Sequence, residues 1–97
     1  MKMVWISYYV GLEDELLEIL SSLHINEFTK WERVLGQGKT SGPHLGTHIW
    51  PKTNALLAIA VNEQKIPALL DKIKNLKASP LGQEGIKAFI WPLEEIV

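Results

Sequence analysis

Along 97 residues the spacing of apolar side chains switches from every second residue to every third or fourth and back, and it does so twice. Met3 to Val10 alternates, with Val4, Ile6, Tyr8 and Val10 on one side and Trp5, Ser7 and Tyr9 on the other, which is the period of a strand. Gly11 ends it. From Leu12 to Leu23 the leucines Leu16, Leu17, Leu20 and Leu23 recur at helical spacing. Glu13, Asp14 and Glu15 stand in the first turn, where the helix dipole favours negative charge. After a turn at Ile25-Asn26, Phe28 to Leu35 alternates again, with Trp31 and Leu35 marking the face expected to point inward. Asn54 to Val61 is a nearly continuous apolar run, the pattern of a central strand. A second helix is expected from about Glu63 to Leu76, with Ile66, Leu69, Leu70, Ile73 and Leu76 on one stripe and Asn62 as its N-cap. Pro67 is tolerated only in a first turn, so the helix starts a little after Glu63. Lys72, Lys74 and Lys77 suit its C-terminal end. Ile86 to Trp91 reads as a fourth strand, stopped by Pro92, with a short tail from Leu93 to Val97.

The order β-α-β-loop-β-α-β implies an α+β fold in one domain over residues 1–97. Two halves of similar length point to a ferredoxin-like βαββαβ sandwich, a four-stranded antiparallel sheet with both helices on one face. The second sheet face then needs a cover. Hydrophobic residues make up 46% of the chain and four of them are tryptophans, a large apolar load for so small a core. Trp5 and Tyr9 would lie in water on that face, and apolar patches of this size mark interfaces. Self-association is the expected remedy.

Charge and composition exclude several classes. A net charge of −1 leaves no excess of cations to neutralise nucleic-acid phosphates. The absence of cysteine removes disulfides, thiolate metal sites and a thiol nucleophile. No apolar stretch approaches the roughly 18 residues of a membrane-crossing helix, and the start from Met1 to Ile6 lacks the pattern of a signal peptide. A cytoplasmic setting is the expectation.

The chemistry-bearing residues lie in two loops. Between Gly36 and Pro51 neither period holds, and a structureless loop of that length in a small domain is usually functional. Gly36, Gln37, Gly38 and Lys39 can wrap an anion with backbone N–H groups and a lysine point charge, or they form a strand-ending turn that uses glycine for its dihedral freedom. Gly82, Gly85 and Lys87, at and after the second loop (Ala78 to Gly85), can complete the same cleft or form a simple turn with a solvated lysine. His44 and His48, four apart, can bind a divalent ion such as zinc or copper. Two ligands fall short of a closed site, and the alternative is two surface histidines. His24 suits the C-terminal end of the first helix. Trp31, Trp50 and Trp91 can stack on a base or fill an interface. Glu94 and Glu95 belong to a solvated tail. The hydroxyls Thr40 and Ser41 sit in no nucleophile frame, and nothing brings Glu32 and His48 together as an acid–base pair. The chain is not expected to be an enzyme.

Two segments carry a family resemblance. Gly85-Ile86-Lys87-Ala88-Phe89-Ile90-Trp91-Pro92-Leu93-Glu94-Glu95 resembles the last strand of PII signalling proteins. Val34-Leu35-Gly36-Gln37-Gly38-Lys39 resembles the stretch that ends their second strand and opens the long T-loop. In that frame Lys87 falls on the family's phosphate-contacting lysine, while Ile86 stands where the family has glycine. The resemblance implies a homotrimer that binds a ligand such as an adenine nucleotide in clefts between subunits. It further implies that the Gly36–Pro51 loop engages a partner, a membrane transporter or a regulator of one. The loop looks most like a branch associated with heavy-metal efflux. The related CutA proteins supply the alternative, metal homeostasis through the loop histidines.

Overall fold

The structure, a computed structural model, describes residues 1–39, 42–48 and 52–97. Thr40, Ser41, Ile49, Trp50 and Pro51 lie outside the described residues, and with them the stacking role considered for Trp50 and the hydroxyls of Thr40 and Ser41.

The described residues form strand β1 (Lys2–Tyr9), helix α1 (Glu13–Ser22), β2 (Thr29–Val34), β3 (Asn54–Val61), α2 (Ile66–Ala78) and β4 (Ile86–Pro92). The strands make one antiparallel sheet in the order β2-β3-β1-β4. The α+β fold read from the periodicity is thus the fold observed. β1 sits at the centre, paired along its length with β3 and β4. Its inward residues Val4, Ile6 and Tyr8 are buried with Leu57 and Ile59 of β3, Leu16 and Leu20 of α1, and Leu69 and Ile73 of α2. Removing water from these side chains supplies the main drive to fold, about 1.5–3 kcal/mol for each large one.

Short 3-10 turns lead into both helices, at Val10–Leu12 and Glu63–Lys65. Pro67 occupies the first turn of α2, where its missing N–H leaves no bond unmade. Asn62 caps the 3-10 turn ahead of α2, its side chain accepting from the Gln64 N–H at 2.9 Å. Because β1 gives way to the 3-10 turn after Tyr9, Val10 leaves the inward set and is partly exposed.

Strand β2 corrects the inner face expected for it. Trp31 and Leu35 are both about half exposed. Trp31 pairs with Leu56 on the face away from the helices, and its ring lies 6.4 Å from that of Trp5. Inward of β2, Lys30 instead reaches Glu13 at 2.6 Å. A bulge between Trp31 and Val34, with Arg33 at φ 37°, places two residues opposite one and breaks the alternation before Leu35.

A cleft between two loops

The two loops singled out in the sequence meet at one end of the sheet. The first leaves β2 and is pinned by a pair of backbone bonds, Gly36 N–H to His44 O at 2.8 Å and His44 N–H to Gly36 O at 2.7 Å. Farther along, Gly46 N–H donates to Lys52 O at 3.1 Å, and Arg33 reaches the Gly46 carbonyl. The segment read as structureless therefore carries a narrow ladder of its own. The second loop contains a 3-10 turn, Leu81–Glu84. Ser79 Oγ fastens it, donating to the Leu76 carbonyl at 2.6 Å and accepting from the Gly82 N–H at 3.1 Å. A methyl group at Gly82 would run into the backbone carbonyl of Leu76, so glycine is the residue that fits. Gly85 takes φ 119°, and its carbonyl accepts from the Tyr9 N–H at 2.9 Å, tying the turn to the end of β1.

Between the loops lies a cavity of about 650 Å³. Gly36, Gln37, Gly38 and Lys39 line it from the first loop, and Gly82, Gly85 and Lys87 from the second loop and the start of β4. The structure thus brings together all seven residues nominated from sequence as an anion site. Ser7, Asn54, Lys77 and Glu84 also line the wall and were not foreseen. Among the described residues three lysines line the cavity, Lys39, Lys77 and Lys87. Glu84 faces them already paired with Lys52 at 2.7 Å. That bond, with a smaller contribution from His44, holds the Glu84 carboxyl below the ordinary carboxylate range and lifts Lys52 above the usual lysine value. Net positive charge on a concave wall suits an anionic ligand.

His44 departs from its reading as a surface histidine. It is a wall residue of this cavity, 3% exposed, rather than a surface group. Nδ1 lies 2.6 Å from Asn54 Oδ1, Nε2 lies 3.8 Å from Glu84 Oε2, and the Tyr9 ring lies 5.3 Å away. The backbone pair with Gly36 fixes this inward position, a non-local contact that residue spacing does not signal. His48 is exposed. Among the described residues no group of three or more His, Asp or Glu side chains could hold a metal ion, so the metal-homeostasis reading finds no support. Trp91 and Trp31 lie on the open sheet face against Trp5, at 5.7 and 6.4 Å between ring centroids, and not in the cleft. No described helix is long and apolar enough to cross a membrane.

The fold is similar to those of several solved proteins. CPII, a nitrogen regulatory PII-like protein from Thiomonas intermedia K12 bound to ADP, AMP and bicarbonate, matches with a TM-score of 0.76 at 15% identity, over 93% of this chain and 82% of that one. The apo form of CPII matches with a TM-score of 0.70 at 12% identity, over 93% and 85%. A protein from Thermus thermophilus described as PII-like signaling matches with a TM-score of 0.57 at 21% identity, over 93% and 83%. At these identities the likeness is one of fold. No curated protein matches the sequence. The sequence profile described as nitrogen regulatory protein P-II matches residues 1–97, and the chain belongs to that family.

Proposed function

We propose that this chain is a regulatory sensor, not a catalyst, and that its ligand is an adenine nucleotide held in the cavity between the two loops. One observation carries the reading. The seven residues nominated from two distant segments line a single cavity, whose lysines Lys39, Lys77 and Lys87 are opposed by one described carboxylate that Lys52 already neutralises. Lys87 and the turn around Gly82 and Gly85 take the phosphates, with Gly36 to Lys39 closing from the other side. The ADP and AMP bound in CPII, a protein of the same fold, support the choice of nucleotide.

The working form is a homotrimer. The aromatic face of the sheet, with Trp5, Trp31, Phe89 and Trp91 each about half exposed, supports burial between subunits. Ligand binding beside the Gly36–Pro51 loop then changes that loop's engagement of a partner, a transporter or a regulator of one.

Calorimetric titration with ADP tests the site. Wild type is expected to bind, and Lys87→Ala to bind about ten- to a hundredfold more weakly, the loss of one charge-assisted phosphate contact. Equal affinity in the two proteins sinks the assignment.

A further inference from the structure

Glu84, on the second loop, faces two groups from the segment between β2 and β3. Lys52 is one, in an ion pair already closed at 2.7 Å. His44 is the other, and there the contact is open. Its Nε2 stands 3.8 Å from Glu84 Oε2, beyond hydrogen-bond reach. Nε2 has no partner among the described residues, although the side chain is 3% exposed. A buried polar atom left in this way is uncommon and calls for an explanation. The other ring nitrogen is accounted for. Asn54 Oδ1, 2.6 Å from Nδ1, only accepts, so Nδ1 carries a hydrogen whatever the charge of the ring. The charge is therefore decided at Nε2, the atom turned toward the carboxylate. Without a proton there, a lone pair faces Glu84. With one, a charged donor does.

We propose that His44 is a proton-operated latch between the two loops: protonated at Nε2 it donates to Glu84 and draws the second loop onto the first, and unprotonated it releases the turn to Lys52 alone. A charge-assisted bond closes to about 2.8 Å, so the latch brings the facing groups about 1 Å nearer. The bond to Lys52 holds the Glu84 carboxyl low, which keeps it an acceptor throughout the range in which histidine changes charge. The other groups around the ring are Tyr9 at the end of β1, with its ring 5.3 Å away, and the lysines Lys39, Lys77 and Lys87 of the same cavity. The lysines are solvent-exposed, so water and salt screen their repulsion of a charged ring, whereas Glu84 stands directly before Nε2. The inference rests on the geometry of the two loops and on no occupant of the cavity.

Urea unfolding of the full chain tests the latch through a double-mutant cycle of His44→Phe and Glu84→Gln, run at about pH 5.5 and about pH 8.5, on either side of the histidine range. At the lower pH the two side chains are expected to favour each other by about threefold or more in the ratio of folded to unfolded chain. At the higher pH that coupling is expected to vanish. His24, His48 and the amino terminus also change charge over this interval, but all four proteins share them and they drop out. A second cycle, of Lys52→Met and Glu84→Gln, is expected to give the same coupling at both pH values. A His44 coupling absent at both, equal at both, or matched by the same change in the Lys52 cycle overturns the proposal. If His44→Phe does not fold, nitrogen-15 NMR of the wild-type ring takes its place. The Nε2–H signal is expected at the lower pH and is expected to broaden through water exchange in Glu84→Gln. A ring that keeps one charge state across the interval overturns the latch. ADP affinity enters neither result, so the nucleotide reading stands or falls separately.

Discussion

Two donors converge on one oxygen of Glu13, the Tyr8 hydroxyl at 2.7 Å and the Lys30 ammonium at 2.6 Å. The Lys30 bond first, and the Tyr8 bond second, hold the Glu13 carboxyl below its ordinary value of 4.5. Burial chiefly, and the bond to Glu13 secondarily, push the Tyr8 hydroxyl up, so it remains a donor. The folded chain thus releases the Glu13 proton more readily than the unfolded chain. Its contribution to stability is whole above the unfolded value and is lost as pH falls through the lower folded one. Thermal unfolding followed by circular dichroism from pH 7 to about pH 3 checks this. The advantage of wild type over Glu13→Gln is expected to shrink on acidification, and an advantage independent of pH would refute the linkage. Gly82 makes a different demand. Alanine there must push the 3-10 turn off the Leu76 carbonyl, with an expected loss of about 1–3 kcal/mol in urea unfolding and a weakened cleft wall. Of these residue-scale facts the sequence showed the glycines and lysines of the site, because dihedral freedom and charge are properties of single residues. It did not show that His44 is buried, bonded to Asn54 and close to Glu84, because that depends on a bridge between positions 36 and 44.

A histidine follows the C-cap of helix α1, Leu23, where a glycine would be easier. Ile25 N–H bonds to Leu20 O at 2.9 Å and His24 N–H to Ser21 O at 3.0 Å, the paired bonds of a Schellman close, and His24 takes φ 57°. A left-handed conformation costs a residue with a Cβ about 1–2 kcal/mol. The dipole reading of His24 accounted for its position but not for this geometry. His24→Gly is expected to stabilise the chain by about 1 kcal/mol, raising the urea midpoint with an unchanged slope; a lower midpoint would show that the ring contributes more than the backbone strain takes away. The Lys65 ammonium bond to the His24 carbonyl at 3.2 Å is retained in the variant. Elements of this length were legible because both helices and the central strands repeat their apolar residues through several periods. β2 was legible as a strand but not as to which side faces in. Both of its sides carry apolar groups, Trp31 against Val34, and the bulge after Trp31 resets the alternation. The 3-10 turn at Leu81–Glu84 is too short to leave a period and read as loop.

At the scale of the molecule, the helices cover one side of the sheet and leave the other to a cluster centred on Trp5. Met3, Trp5, Leu56, Ala58, Phe89 and Trp91 share that side by register. A lone chain would hold these aromatics against water, an exposure that association removes. Trp5→Lys places a charge at the centre of the cluster and is expected to reduce the mass seen in sedimentation to that of a single chain while the helical circular dichroism persists. An unchanged mass would show that the subunits meet elsewhere. The same cluster has an optical consequence. Two indoles 5.7 Å apart and inclined at 66° couple their electronic transitions, which gives a split signal of opposite signs in the far ultraviolet, and their emission colour follows the polarity around them. The sheet face thus carries its own chromophore, so that burial of that face against another chain and unfolding of the chain would leave different spectral marks without any added label.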